Sequence, residues 1–269
     1  MDITSLQNPR IKHLVRLREH KRQRLADGLF TVEGFDELKI AVDSGFRPVS
    51  IITAPDLALG TLTVDAQEKL TVSRDVFQKI SYRENPDGWL GVFSIPHLGL
   101  EDLKLSENPF LLIAESIEKP GNLGAMLRTA DAAGVDAVIV CDPRVDLWNP
   151  NVVRASRGAL FTLPAFTMET GPLLEWLRVR KIRILAAAPK GESVYTEVDL
   201  KGPTAVVFGT EDTGLSEFWL RNADECVTIP MKGRVNSLNV SIAAGLFTYE
   251  AVRQRGFTHS DGNSIQAKN

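Results

Sequence analysis

The sequence has 269 residues, a formal net charge of -3 and 43% apolar residues, as expected for a soluble globular protein of one or two domains. It has no apolar run of membrane-spanning length, and its first residues lack the apolar core of a secretory signal. Its two cysteines, Cys141 and Cys226, have no metal or redox spacing. We therefore expect a cytoplasmic protein with no membrane, disulfide framework or metal.

Residues 1–97 predict a small α/β domain. A single helix is predicted from Asn8 to Gly28, because Asn8 suits an N-cap, Pro9 suits the first turn and Gly28 suits the helix end. Apolar and β-branched runs predict strands at LFTVEG, PVSIIT, KLTV and GWLGVFSI, and two short helices at FDELKIAVDSG and SRDVFQKIS.

The first helix is strongly basic although the whole chain is not. Residues 1–24 hold seven Lys or Arg against two acids. Such local density favours phosphate binding, and the alternative is a solvated helix face. Six residues are candidates for these contacts: Arg10, Lys12, Arg16, Arg18, Lys21 and Arg22.

A polar, proline-flanked connection at 98–107 separates this domain from a second α/β domain over 108–257. Apolar strands that alternate with helices predict a parallel sheet covered on both faces. The polar residues 258–269 predict a disordered tail. The strands are predicted at FLLIAES, DAVIVC, FTLPAF, IRILAAA, TAVVFG and ECVTIP, and the helices at 121–133, 149–159, 171–180, 215–222 and 237–255.

Ligands of open parallel sheets bind beyond the carboxyl ends of the strands. The first such loop and helix, ESIEKPGNLGAMLRTADAAG, lack the dinucleotide fingerprint, which argues against a Rossmann enzyme. A glycine loop occurs later, in VVFGTEDTGLS, where Gly209 and Gly214 let the backbone approach a ligand. The alternative for these two glycines is an ordinary turn.

Polar side chains mark two further places at this edge. Asn122 and Arg128 lie within two turns on one predicted helix, and Arg128 is the one cation on an otherwise apolar stretch. It either serves a ligand, pairs with a neighbour such as Asp131, or is simply exposed to solvent. In RVNSLNVS, four amides and hydroxyls precede the last helix, where one cap would suffice, and we expect Asn236 or Ser237 to be that cap.

Three stretches together resemble the SpoU (TrmH-like) branch of the SPOUT RNA methyltransferases: NLGAMLRTADAAG, FGTEDTGLS and IPMKGRVNSLNVSIAAGLFTYE. The N-terminal NPRIKHLVRLREHKRQRLADGLFTVEG is similar to the ribosomal-protein-like substrate-binding domain that precedes many of these enzymes. The resemblance implies a C-terminal sheet with a deep trefoil knot, behind a smaller RNA-binding domain. It further implies S-adenosylmethionine as donor, a ribose 2'-hydroxyl of RNA as acceptor, and a homodimer.

The resemblance also assigns roles to residues. The catalytic or motif side chains would be Asn122, Arg128, Glu211, Ser237 and Asn239. The donor would be held largely by backbone at Gly209, Thr210, Gly214, Ile229, Met231, Leu238 and Val240. The basic residues of the first helix would bind the RNA.

The extra N-terminal domain favours ribosomal RNA, with 23S rRNA preferred, over tRNA. A tRNA 2'-O-methyltransferase and a non-catalytic RNA-binding assembly factor remain as alternatives. The last helix has two apolar stripes at helical spacing, so one stripe can pack on its own sheet while the other predicts a homodimer interface. The alternative is that loops or the N-terminal domain cover the second stripe. The stripes are Leu238, Ile242, Leu246 and Tyr249, and Val240, Ala244, Phe247 and Ala251.

Overall fold

The computed structural model describes residues 2–256 and divides the chain into two compact units. The first unit contains the residues up to Leu98 together with Asp146–Thr162, and the second contains Gly99–Val145 and the chain from Leu163 onward. The sequence pattern predicted continuous domains on either side of 98–107 and did not place 146–162 in the first unit. That linker stretch carries a short 3-10 turn, Leu100–Asp102. The predicted tail, 258–269, lies outside the described residues.

The first unit is built on a mixed five-stranded sheet of order β1-β4-β3-β5-β2. Strand β5 pairs antiparallel with β3 and β2, and the other pairs are parallel. Its elements are β1 (Asp2–Ile3), α1 (Pro9–Glu19), α2 (Lys21–Asp27), β2 (Leu29–Glu33), α3 (Phe35–Asp43), β3 (Pro48–Thr53), β4 (Glu68–Val72), α4 (Arg74–Ile80) and β5 (Trp89–Ser94).

The predicted first helix is broken in two at His20, whose backbone is extended with φ -117° and ψ 115°. The predicted ends are confirmed, since the Asn8 side chain accepts from the Arg10 amide and Gly28 is left-handed. Buried Arg24 explains the break: its guanidinium donates to the carbonyls of Leu17 and Arg18 at 2.7 and 3.1 Å. In a continuous helix those carbonyls would accept from backbone amides four residues later.

Residues 146–162 complete the first unit. They contain α6 (Pro150–Ser156) and α7 (Ala159–Thr162). The Asp146 carboxylate pairs with the guanidinium of Arg24 through bonds of 2.7 and 3.1 Å, and both side chains are buried. Trp148 packs on Phe30 at 4.3 Å between ring centroids. A buried ion pair and an aromatic contact thus hold a distant segment on the sheet of this unit.

The second unit has a parallel seven-stranded sheet of order β10-β12-β9-β11-β6-β7-β8, as the alternating pattern predicted. Strands β6, β7 and β11 are entirely buried because helices cover the sheet. Its elements are β6 (Phe110–Glu115), α5 (Pro120–Ala132), β7 (Ala137–Cys141), β8 (Ala165–Met168), α8 (Thr170–Val179), β9 (Arg183–Ala187), β10 (Ser193–Val194), β11 (Thr204–Phe208), α9 (Glu217–Asn222), β12 (Glu225–Thr228) and α10 (Val240–Arg255).

Two expected elements differ from the structure. The stretch FTLPAF was predicted as one strand, but its first residues end α7 and only its last two begin β8. Pro164 separates the two elements because proline cannot donate to a sheet. The last helix begins at Val240 rather than at residue 237, and residues 237–239 are not helical.

Within residues 2–256 no helix combines the length and apolarity that crossing a membrane requires. The same residues contain no group of three or more His, Cys, Asp or Glu side chains placed to hold a metal ion.

The buried Arg24–Asp146 pair leads to a prediction about the stability of the protein. Asp146→Asn leaves the buried Arg24 guanidinium without its counter-charge, so we expect the free energy of unfolding to fall by about 3–5 kcal/mol. Urea-induced unfolding followed by circular dichroism measures this loss. The matched control is Asp43→Asn, which breaks the exposed Lys39–Asp43 pair and should cost no more than about 1 kcal/mol. Equal losses in the two variants would contradict the proposed importance of the buried pair.

Candidate functional site

A closed loop follows strand β11. The amide of Thr210 donates to the Gly214 carbonyl at 3.0 Å, and the amide of Gly214 donates back to the Thr210 carbonyl at 3.1 Å. Gly214 is left-handed at φ 72°, and a Cβ on Gly209 would lie 2.2 Å from the Gly214 carbonyl carbon. Both glycines are therefore required by geometry, and they bring the two ends of the loop into contact.

A group of four side chains, here the Glu211 cluster, joins this loop to two helices. The amides of Asn122 and Asn239 both donate to Glu211 Oε1, at 2.5 and 2.7 Å. The ammonium of Lys119 pairs with the other carboxylate oxygen. The Glu211 carboxylate thus accepts hydrogen bonds from Lys119 and Asn122 at the start of α5 and from Asn239, which precedes α10.

Electrostatics keeps this carboxylate charged. The hydrogen bond from Lys119 is the largest influence and lowers the pKa of Glu211; burial opposes it, and the weaker hydrogen bond from Asn122 lowers the pKa further, so that it lies below its ordinary value. In return, the bond to Glu211 raises the pKa of the Lys119 ammonium. A carboxylate in this state is a weak base, which makes Glu211 suited to holding neighbours in place.

Asn239 has a second function as the cap of α10. Its Oδ1 accepts from the backbone amide of Ser241 at 3.0 Å and from the Ser241 hydroxyl at 2.6 Å. The expectation that Asn236 or Ser237 caps this helix was therefore wrong. Both are exposed, and the helix starts later because Asn239 offers a cap that is also fixed by Glu211.

A cavity of about 320 Å³ opens beside the Glu211 cluster. Its walls come from the ends of β9, β11 and β12 and from the segment that enters α10. Glu211 and Ser237 line it. So do all seven predicted donor-contact residues: Gly209, Thr210, Gly214, Ile229, Met231, Leu238 and Val240. The walls combine loop backbone with apolar side chains such as Phe208 and Phe247, which suits a ligand that is part apolar and part polar.

Arg128 stands apart from this cavity. It lies on α5, is exposed and does not line the cavity. Among residues 2–256 no hydrogen bond or ion pair involves it, so the alternative of a salt bridge to Asp131 does not hold for the described chain. An exposed cation that has no partner within the described chain is available to an external anion.

The basic residues of α1 and α2 fall into different environments. Arg10 pairs with Glu68 at 2.5 Å. Arg18 donates to the backbone carbonyls of Lys79 and Ser81 at 2.9 and 2.6 Å, which fits a structural role. Lys21 is half-buried. The remaining three candidates are exposed: Lys12, Arg16 and Arg22.

Sequence reasoning missed two parts of the site. Lys119 was passed over, although it sits at the start of the helix that carries Asn122. The wall formed by Ala187, Ala188 and Pro189 was missed as well. Ala187 ends strand β9 and the other two residues follow it, so the rule that ligands bind at the carboxyl ends of parallel strands would have found them.

Comparison with known proteins decides the family. Residues 109–249 match the model of the SpoU rRNA Methylase family, and residues 8–91 match the MRM3-like substrate binding domain. The chain belongs to the SpoU rRNA methylase family. The motifs that suggested this family are therefore the elements that build the cavity and the Glu211 cluster.

SpoU relatives match over nearly the whole chain. A tRNA/rRNA methyltransferase of Synechocystis is 33% identical over 97% of this chain and 96% of its own length. The 23S rRNA (uridine(2479)-2'-O)-methyltransferase of Streptomyces viridochromogenes is 29% identical over 94% and 92%. The crystal structure of the SpoU methyltransferase AviRb from that organism, in complex with AdoMet, superposes with a TM-score of 0.86, 28% identity and coverage of 93% and 98%.

The lowered pKa of Glu211 predicts a pH dependence. Its carboxylate stabilises the fold fully above the unfolded-state pKa, near 4.5, and this contribution is lost as the pH falls through the lower folded-state value. The difference in unfolding free energy between wild type and Glu211→Gln should therefore be larger at pH 7 than at pH 3. Urea unfolding at both pH values measures it. Lys119→Met is the control: in this background the effect of Glu211→Gln on the unfolding free energy should depend less on pH. If the difference between wild type and Glu211→Gln were the same at both pH values, the role of the ion pair would be refuted.

Proposed function

We propose that this SpoU protein transfers a methyl group from S-adenosylmethionine to a ribose 2'-hydroxyl of 23S ribosomal RNA. The observation that carries the proposal is the cavity beside the Glu211 cluster, in a chain of this family. The Streptomyces relative acts on 23S rRNA by its name, and the AviRb crystal structure contains AdoMet. This chain matches both proteins over more than nine-tenths of their length.

The cavity fits the proposed donor. Its volume of about 320 Å³ lies within the range of about 300–1,000 Å³ that is usual for small-molecule sites. Loop backbone at Gly209 and Thr210 offers hydrogen bonds to a purine, and the apolar side chains of Leu238 and Phe247 cover its ring. When bound there, S-adenosylmethionine supplies a methyl group on a positively charged sulfur.

The residues of the Glu211 cluster act by positioning. Glu211 fixes the loop that walls the cavity to the starts of α5 and α10, so that the donor pocket has one shape before RNA arrives. The lowered pKa makes the Glu211 carboxylate a weaker base than an ordinary glutamate, so we assign it to positioning rather than to removal of a proton from the hydroxyl. Rigid placement of two reactants is itself a large part of the catalysis of a displacement that requires in-line approach.

Arg128 is the proposed contact to the RNA. A ribose hydroxyl is a poor nucleophile at neutral pH and needs stabilisation of the charge that develops as it attacks. An arginine side chain stays protonated at neutral pH, so a guanidinium suits electrostatic stabilisation better than proton removal. Exposed and without a partner in residues 2–256, Arg128 is free to bind the phosphate next to the reacting ribose and to orient its hydroxyl.

Three exposed cations on the first two helices are proposed to add affinity for RNA: Lys12, Arg16 and Arg22. Their side chains face solvent, and each phosphate contact adds salt-dependent binding. Arg10, Arg18 and Lys21 are the less favoured members of the predicted set, because the side chains of Arg10 and Arg18 already have partners within the unit and Lys21 is half-buried.

We further propose that the second unit contains the trefoil knot expected from the resemblance. Strand β12 pairs on one side with β9 and on the other with β10, although β9 and β10 are joined by a few residues. Gly191 in that connection lies so close to β12 that a Cβ would be 2.5 Å from the Val227 carbonyl carbon. A strand inserted between two covalently linked neighbours favours threading. An experimental structure whose backbone straightens without a knot would contradict it.

The protein is proposed to act in the cytoplasm. Both of its cysteines, Cys141 and Cys226, are free thiols in the structure, which fits a reducing compartment. The proposed substrate belongs to the same compartment of a bacterial cell. Fractionation that recovers the protein with the periplasm would contradict this placement.

We propose a homodimer built on one face of α10. The stripe of Val240, Ala244, Phe247 and Ala251 is buried within the unit. On the other stripe, Ile242 is 55% and Tyr249 47% exposed, which leaves large apolar side chains uncovered by the described chain. A second copy of this helix would cover them.

The catalytic proposal predicts the behaviour of Arg128→Ala. Wild type should transfer radiolabelled methyl from S-adenosylmethionine to unmodified 23S rRNA and not to tRNA. The variant should lose at least about 100-fold in turnover, because charge stabilisation of this kind contributes about 10²–10³-fold. Its donor affinity by calorimetry should match that of wild type, since Arg128 does not line the cavity.

Arg47→Ala is the control, because Arg47 is also an exposed arginine and lies outside the proposed site. It should keep full turnover. Normal turnover in Arg128→Ala would remove the proposed role of this residue, and methylation of tRNA alone would overturn the proposed substrate.

The dimer proposal predicts the effect of a charge on the exposed stripe. Light scattering should give wild type twice the 29.6 kDa monomer mass, and Ile242→Glu should give the monomer. Val179→Glu is the control, because Val179 is 82% exposed on another helix. Phe247 is unsuited to the test because it packs on Phe208 inside the unit. A monomeric wild type at micromolar concentration would refute the dimer.

A further inference from the structure

The first unit contains a polar cleft that the sequence motifs did not indicate. Its volume is about 550 Å³. Six residues from two separate segments line it and define what we call the basic cleft: Tyr82, Arg83, Glu84, Asn85, Arg154 and Arg157. No aliphatic side chain is among them, so the cleft is unsuited to an apolar ligand.

One buried carboxylate holds two of the three arginines of the cleft. Arg83 donates to the Glu37 carboxylate at 2.7 Å and to the Glu33 carbonyl at 3.0 Å. Glu37 is only 3% exposed, and its other oxygen lies 3.5 Å from the guanidinium of Arg157. The Glu37 carboxylate thus fixes Arg83 and Arg157 at the cleft, and the Arg157 side chain, which is 61% exposed, remains accessible to a ligand.

An exposed aromatic ring lies beside a third arginine. Tyr82 is 41% exposed, and the guanidinium carbon of Arg154 lies 6.0 Å from the centre of its ring. Arg154 is exposed, and no ion pair in the described chain involves it. Arginine with an exposed aromatic ring is the combination that proteins use to bind phosphate and to stack an unpaired base.

The cleft is held in shape by the packing of residues 146–162. Arg154 lies on α6, and Arg157 ends that helix with a left-handed backbone at φ 54°. The Arg24–Asp146 pair and the Trp148–Phe30 contact fix this segment within the unit. The two cations are therefore placed by a rigid segment rather than by a loose loop.

We propose that the basic cleft binds one unstacked nucleotide of single-stranded RNA. The base stacks on Tyr82 beside Arg154, and Arg154 and Arg157 contact the phosphates. Glu84, an exposed carboxylate, would repel a phosphate placed against it, but with Asn85 it can accept from the amino group of a base. This inference rests on the proposed function, because it assigns to the RNA substrate a site in the unit whose residues 8–91 match a substrate binding domain.

The test measures binding of a fluorescent single-stranded RNA of unstructured sequence across a range of salt concentrations. Arg154→Gln with Arg157→Gln should flatten the slope of log affinity against log salt by about 1.4, since each lost phosphate contributes about 0.7 for single strands. Tyr82→Ala should weaken binding about 5- to 150-fold, and Tyr82→Trp should restore it. The affinity for the same RNA sequence in a blunt duplex should change less in both Tyr82 variants.

The matched control is Arg47→Gln with Arg221→Gln, which removes the same charge from two exposed arginines elsewhere and should leave the slope unchanged. Thermal unfolding checks the fold of each variant, and Glu37 keeps its Arg83 partner when Arg157 is replaced. An unaltered slope in the cleft variant, or equal affinity for Tyr82→Ala and Tyr82→Trp, would overturn the inference. In that case normal methyl transfer by wild type would still support the proposed function. A wild type that binds no RNA would contradict both the proposed function and the inference about the cleft.

Discussion

The carboxylate of Glu211 is the constraint on which the candidate site depends. It accepts hydrogen bonds from two asparagines and an ion pair from a lysine, and these partners stand at the starts of two helices that are far apart in sequence. The loop that carries Glu211 is closed on itself by a pair of backbone bonds. One charge therefore sets the relative position of the sheet edge, helix α5 and helix α10. The cavity beside it has its shape because these three elements cannot shift independently.

The second unit was largely predictable from its sequence, and the reason is physical. Parallel strands are buried on both faces and read as continuous apolar runs, and they end where glycines or polar residues begin. Gly209 and Gly214 were recognisable for that reason. The network around Glu211 was not recognisable from pattern alone, because Lys119, Asn122 and Asn239 meet only after the chain has folded. Residue roles at this site came from the family resemblance instead.

The first unit was harder to predict because long-range contacts override local preference there. Residues 8–28 have every signal of one helix, including both caps, yet a buried arginine takes the carbonyls that the helix needs. Nothing near Arg24 in sequence reveals its partner, since Asp146 lies 122 residues away. A similar separation in sequence hid the basic cleft, because two of its three arginines, Arg154 and Arg157, come from a segment that the pattern assigned to the other domain. Basic density along a helix was the visible signal, and Arg18 shows that part of it serves the fold.

The placement of residues 146–162 affects whether one unit of this protein can be recombined with another protein without the other unit. A substrate-binding module that ended at Leu98 would lack Asp146 and Trp148, and it would leave a charged guanidinium and an aromatic face without their partners. The recognition unit is thus encoded in two pieces, the second of them inside the coding region of the methylase. A recombination event that joined only the first piece to another methylase would deliver an incomplete module. Inheritance of the two units together, rather than shuffling of one alone, is the outcome that this interleaving favours.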